Sequence, residues 1–167
     1  MPNVFEEHLA AKGAVPMLEG PPLDIRLESD GLAVREALER LVSGLGAWAL
    51  STEEIGTVQL VTAEVLNNIV EHAYPEGAAP GPIWLQGRFC RDGLHLLIRD
   101  QGKAMPEGQL PLGQTPSVDV DLLDLPEGGF GWFLIQDLAK DVRYCRVGED
   151  NHLHLRIAVT PPRLAAN

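Results

Sequence analysis

Glu64, Asn68 and His72 stand four residues apart in the run VTAEVLNNIVEHAY, residues 61–74. At that spacing on a helix a carboxylate that can take a proton, an amide that can hold a cation and an imidazole share roughly one side. Two later stretches carry complementary chemistry. In IRDQGKAMP a buried-looking strand delivers Asp100 directly into a turn at Gly102. A strand-end carboxylate can accept a hydrogen bond from an exocyclic amine such as that of adenine, and glycine lets the chain turn closely beside a base. In EGGFGWFLIQDLAKDV, Gly128, Gly129 and Gly131 open a helix, where glycines expose backbone N–H groups to an anion. Each stretch alone also has a plainer reading. Glu and Asn are ordinary on a solvated helix face, Asp-x-Gly is a common turn, and glycines before a helix often serve only the turn.

The elements that must position these residues follow from pattern and punctuation. At about 100° per residue, Val61, Val65, Leu66, Ile69, Val70 and Ala73 form one apolar arc, with Glu64, Asn67, Asn68 and Glu71 outside it and His72 at its edge. Ser51 and Glu54 form a capping-box signature, which starts this helix near Thr52, and Pro75 ends it at Tyr74. Upstream, LDIRL (23–27) alternates as a half-exposed strand does. Ser29 or Asp30 then caps a helix carrying Leu32, Val34, Leu38, Leu41, Val42 and Leu45. Residues 83–90 and 94–99 read as an antiparallel pair turned by Arg91-Asp92-Gly93.

A helix over 132–140 leads to strands over 141–147 and 152–159, turned by 148–151. His152 and His154 alternate with leucines on one strand face and read as a solvent-facing pair rather than a two-His metal site, which needs more ligands. Residues 103–127, rich in Pro, Gly and Asp, read as a lid. Residues 1–22 read as an extension with a short helix around 5–12 and no chemistry, 23–160 as one domain, and 161–167 as a tail.

Composition bounds the function. The chain has 167 residues with 45% hydrophobic content, which suits one well-buried domain. A formal charge of -11 argues against nucleic acid as the main partner, because phosphate backbones call for a basic stripe. It does not exclude a nucleotide held by backbone N–H groups, with a metal ion adding positive charge. Cys90 and Cys145 show no metal or redox spacing and read as buried free thiols of a reducing cytoplasm. No run has the length of a signal peptide core or a membrane span, so a cytoplasmic protein is expected. Neither the dinucleotide fingerprint nor a GxxxxGK[ST] phosphate loop is present.

Taken together and in this order, EVLNNIVEHAY, IRDQGKAMP and GGFGWFLI resemble the N box and the two glycine boxes of GHKL (histidine-kinase-like) ATPases. The chain closely resembles the bacterial anti-sigma-factor serine/threonine protein kinases, over about 23–159. The resemblance implies a Bergerat-type α/β two-layer sandwich, with a mixed, mostly antiparallel sheet and helices on one face. It implies Glu64 as the general base, Asn68 as the ligand holding Mg²⁺, and Asn68, His72, Asp100, Gly102, Ala104, Gly128, Gly129 and Gly131 as ATP-binding positions, with the ATP lid over 103–127. Ala104 departs from the second glycine of the usual DxGxG box. Arg35 resembles a partner-contacting arginine, against the plainer reading of a solvated helix charge.

The implied activity is ATP- and Mg²⁺-dependent phosphorylation of a serine or threonine on an anti-anti-sigma protein, with sequestration of a sigma factor and a homodimeric assembly. Two alternatives stand beside it: a nucleotide-binding partner-switching module with little kinase activity, and a stand-alone catalytic domain serving a histidine phosphotransfer protein. An autonomous sensor kinase is disfavoured, because no upstream phosphoacceptor hairpin is present in the sequence.

Overall fold

The two longest helices begin where a side chain can satisfy the free N–H groups of a first turn. In the computed structural model, which describes residues 4–11, 13, 15–111 and 130–160, Asp30 caps helix α2 (Gly31–Leu45) by accepting from the Ala33 N–H. Ser51 and Glu54 form the reciprocal capping box of α3 (Thr52–Asn68), as expected from their spacing. Such caps contribute about 1 kcal/mol each. The other two α-helices among the described residues are α1 (Val4–Ala10) and α4 (Phe130–Leu138).

Five strands, β1 (Leu23–Glu28), β2 (Pro82–Cys90), β3 (Gly93–Asp100), β4 (Lys140–Val147) and β5 (Asp150–Ile157), form one sheet in the order β1-β2-β3-β5-β4. Every pairing among the described strands is antiparallel. In β1 the buried and exposed residues alternate strictly, as LDIRL requires. The sheet's inner face, including Ile83, Leu85, Leu96, Ile98 and Leu155, packs against Val34, Leu41, Val58, Val65, Leu66 and Ile135 of α2, α3 and α4. Burial of such side chains contributes about 1.5–3 kcal/mol apiece, against at most about 1 kcal/mol for an exposed ion pair such as Arg35–Glu39. The apolar layer therefore sets the stability of the two-layer sandwich.

Several boundaries and burial states differ from the sequence reading. The β2–β3 turn is the pair Arg91-Asp92, since Cys90 already faces Gly93 in register. Likewise β5 begins at Asp150, opposite Val147, so the β4–β5 turn is Gly148-Glu149 and not 148–151. The helix expected over 132–140 lies at Phe130–Leu138, with Lys140 already in β4. Cys90 is buried but Cys145 is exposed on edge strand β4, which corrects the expectation of two buried thiols. His152 and His154 are buried as well, 5% and 1% exposed, and not solvent-facing.

For His154 the reason lies in the segment read as an inert extension. Phe5 and Leu9 of α1 pack with Cys90 and Leu97 on the sheet's outer face, and the His154 ring meets those of Phe5 and His8. A bridge from Met17 to Cys90 ties the following stretch to β2. What strand alternation assigns to water is thus covered by the chain's own first residues.

Burial, reinforced by Arg99, holds the His152 imidazole below its ordinary value, although Asp150 and Asp100 oppose the shift. The unfolded chain, titrating at about 6.5, therefore binds the proton before the folded one does. This contribution to stability is complete above the unfolded pKa and is lost as pH falls from there through the folded one. Thermal unfolding measured from neutral to mildly acidic pH should show His152→Gln losing less stability than the unaltered protein. Parallel curves would contradict this account.

Candidate functional site

The site begins at Asp100, the last residue of central strand β3, whose register partners are Ile83 on β2 and Asn151 on β5. The residue is 5% exposed. Oδ1 accepts from the Gly102 N–H and from Asn151 Nδ2, each at 2.8 Å. Among the described residues Oδ2 accepts no hydrogen bond, so it is the atom left for a ligand. Burial lifts this carboxyl above its ordinary range, even though Asn151, Gly102 and Arg146 favour the ionised form.

Asn151 is itself held from behind. Its Oδ1 accepts from the Tyr144 hydroxyl and from Arg146 Nη1, both at 2.7 Å, and its Nδ2 also lies 3.2 Å from the carbonyls of Gly102 and Lys103. The Tyr144 hydroxyl in turn accepts from the Met105 N–H at 3.0 Å. One amide thereby ties two strands to the turn after Asp100 and to the start of the next loop.

Helix α3 supplies the opposite wall, and its end is unusual. After Asn68 the chain widens into a π-helical turn, Ile69–Ala73, with the Tyr74 N–H bonded to the Ile69 carbonyl five residues back. The Ala73 carbonyl accepts from the Lys103 N–H at 2.8 Å. The Tyr74 hydroxyl donates to the Pro82 carbonyl at 2.9 Å and accepts from the Gln101 N–H at 2.8 Å. The helix end and the Asp100 turn are therefore one braced unit. The sequence reading ended an unbroken helix at Tyr74; the π turn is the added feature, and it interrupts the strict four-residue repeat that would have stacked His72 over Asn68.

Between these walls lies a cavity of about 370 Å³. Val65, Ile69, Met105, Trp132 and Leu153 give it apolar walls, and Asn68, His72, Asp100, Ala104 and Asn151 also line it. His72 sits at its exposed side, with a side chain 66% accessible and Nε2 3.9 Å from Glu71. The close approach of α4 is set at Gly131. A methyl carbon there would lie 2.7 Å from Glu64 Oε2, 3.4 Å from Asn68 Nδ2 and 3.5 Å from Asn68 Oδ1. Glu64, Asn68 and Gly131 are thus one cluster beside the cavity. The Asn68 Nδ2 is buried without a hydrogen-bond partner among the described residues, an arrangement that leaves the amide group to a ligand.

Gly128, Gly129 and the lid beyond 111 lie outside the described residues. Arg35 is not brought to the cavity; it is exposed on α2, 3.9 Å from Glu39. Asn151, Tyr144, Arg146 and Tyr74 are the site residues that sequence reasoning missed. Asn151 and Asp100 become partners only through strand register, and no spacing within the chain signals that.

Comparison with known proteins agrees with this geometry. The profile of the histidine kinase-like ATPase domain matches residues 27–157. The chain is 30% identical over 130 residues to the serine-protein kinase RsbW of Bacillus subtilis, covering 76% of this chain and 74% of that protein. It is 32% identical over 95 residues to RsbW of Halalkalibacterium halodurans, covering 54% of each. Among solved structures, the RsbU and RsbW domains of a Mycobacterium tuberculosis protein align with a TM-score of 0.57 at 18% identity. That alignment covers 88% of this chain and 35% of the longer one, and it speaks to fold alone.

The two site glycines should respond differently to alanine. At Gly102 a methyl carbon would meet the Ala73 carbonyl oxygen at 2.5 Å and its carbon at 2.7 Å, which are backbone atoms that cannot swing aside. Gly102→Ala should cost about 1–3 kcal/mol. At Gly131 the obstacle is the far end of the Glu64 side chain, so Gly131→Ala should stay within about 1 kcal/mol of the unaltered protein, helped by alanine's helix preference. Urea unfolding of both variants checks the order; equal losses would contradict it.

Proposed function

We infer that this chain, which belongs to the histidine kinase-like ATPase family, is an ATP- and Mg²⁺-dependent serine/threonine protein kinase whose substrate is an anti-anti-sigma protein. The reading extends to holding a sigma factor when that antagonist is phosphorylated and released. Its main support is the cluster of Glu64 and Asn68 against Gly131, beside a cavity whose polar end is Asp100. Similarity to proteins named as serine-protein kinases supports the choice of acceptor. The cytoplasm, where ATP is available, is the compartment the reading requires.

The residues present suit the nucleotide. Asp100 Oδ2 can accept from the exocyclic amine of adenine, while the bonds from Gly102 and Asn151 keep the carboxylate from rotating away. The apolar walls formed by Val65, Ile69, Trp132 and Leu153 sandwich a flat ring and exclude water. The backbone N–H groups of the first turn of α4, around Gly131, would hold phosphate oxygens.

The residues also suit the metal: among the described residues no acceptor binds Asn68 Nδ2, so the amide is not committed to the protein there, and its Oδ1 would hold the ion. Bound Mg²⁺ neutralises charge on the phosphates and so lowers the barrier to transfer. Glu64, one helical turn before Asn68, takes the proton from the attacking serine or threonine hydroxyl as that oxygen bonds to the γ-phosphorus and the bond to the β–γ bridging oxygen breaks, releasing ADP. The positions of Glu64 and Asn68 are coupled because both abut Gly131.

Glu64→Gln keeps the size of the side chain and removes the base. Phosphate transfer to an anti-anti-sigma protein should fall by about 10²–10⁴-fold, with ATP binding retained. The transferred phosphate should survive acid and be lost in base, as phosphoserine and phosphothreonine are. Full activity in the variant would remove Glu64 from the mechanism, and acid-labile phosphate on the target would move the acceptor to histidine.

A further inference from the structure

At the far end of β3 from Asp100, on the opposite face of the sheet, three side chains of one hairpin converge. Cys90 closes β2, Asp92 lies in the two-residue turn, and His95 is the third residue of β3. A thiol sulfur, a carboxylate oxygen and an imidazole nitrogen all lie within 4.8 Å of one another. Cys90 is fully buried and His95 is 1% exposed. Five residue steps along the strand, about 17 Å, separate His95 from Asp100, so this cluster is no part of the nucleotide cavity.

We propose that Cys90, Asp92 and His95 bind a divalent transition metal ion of the zinc type. The donor set decides the class. Sulfur and nitrogen donors select a borderline-soft cation and disfavour Mg²⁺, which takes oxygen ligands. A carboxylate and a thiolate together balance the charge of a divalent ion, the thiol proton passing to solvent as the sulfur–metal bond forms. Asp92, about a third exposed at its side chain, marks the side on which water completes a four-coordinate shell.

The surroundings are those of a supported site. His95 presents Nε2 to Asp92 Oδ1 at 2.7 Å, and its other ring nitrogen, Nδ1, meets His154 Nε2 at 3.2 Å. Ligating histidines are commonly oriented through the second nitrogen in this way. Arg156 Nε lies 3.5 Å from Asp92 Oδ2 and 2.9 Å from Asp141 Oδ2, fixing the carboxylate from its far side. With metal–ligand distances of about 2.0–2.3 Å, an ion enters if the Asp92–His95 pair opens by roughly half an ångström. The rigid part is the backbone: Gly93, the first residue of β3, has φ of 129°, and a methyl carbon there would collide with the Ile157 carbonyl oxygen, so only glycine fits directly after the turn.

The bound ion would secure α1. Cys90 packs with Phe5 and Leu9 of that helix, and His154 touches the rings of Phe5 and His8. Metal binding at the hairpin therefore tightens the covering of the outer face without touching the kinase chemistry.

Co²⁺ is the direct probe, because it reports its own ligands. Titration of the metal-free protein should saturate at one equivalent, with the intense ligand-field absorption of four-coordinate cobalt and a thiolate-to-cobalt charge-transfer band, both displaced by Zn²⁺. Cys145→Ser, which alters only the exposed thiol, should keep both features, and Cys90→Ser should lose the charge-transfer band. In a second measurement Zn²⁺ should raise the unfolding temperature of the unaltered protein and of Cys145→Ser, but not of His95→Gln. Absence of the charge-transfer band in the unaltered protein, a band that follows Cys145, or a Zn²⁺ shift that persists in His95→Gln would each overturn the proposal.

Discussion

A buried carboxylate with one oxygen committed and one open is the constraint on which the site depends. Asp100 would be costly in the interior without partners, and Asn151 and the Gly102 N–H both spend their hydrogen bonds on Oδ1. Register makes this arrangement unavoidable, because Asp100 faces Asn151 directly across β3 and β5. A slip of one residue in either strand would turn that strand's side chain to the other face and break the pair. Tyr144 and Arg146 saturate the Asn151 carbonyl and keep the amide from flipping. The recognition atom is thus oriented before any ligand arrives, which reduces the ordering cost of binding.

The second wall answers the first through backbone contacts. The π turn after α3 places the Ala73 carbonyl where Lys103 donates to it, and Gly102 passes so close to Ala73 that no side chain fits between. Helix α3 is consequently anchored at one end by its capping box and at the other by the loop that carries the ligand-reading turn. Glu64 and Asn68 lie on the stretch between those anchors, and Gly131 lets α4 come against both. Small shifts of α4 would therefore be felt at the base and the metal-binding amide together.

Much of this architecture is legible in the residues. Ser51 and Glu54 declare a helix start because the interaction is local, and LDIRL declares a half-buried strand because its alternation has only one physical meaning on a sheet. The chemistry of Glu64, Asn68 and Asp100 is legible as residue types, and their order resembles a known family. What was not legible is what depends on long-range contact. His154 looks solvent-facing until Phe5, His8 and Leu9 are seen against the outer face. Asn151 looks like a turn residue until strand register sets it against Asp100. The π turn is hidden because no residue type marks it; it is held by Gln101 and Lys103, 27 and 30 residues on from Tyr74 and Ala73, in the turn after β3.

The most direct test of the account is calorimetric titration of ATP into the unaltered protein and into Asp100→Asn. The asparagine carbonyl can still accept from Gly102 and Asn151, so the fold should persist. The second atom becomes an amide donor facing the donor amine of adenine, and ATP affinity should fall by at least about tenfold, the equivalent of about 1.4 kcal/mol. Unchanged affinity in a folded Asp100→Asn protein would contradict the claim that this buried carboxylate reads the nucleotide.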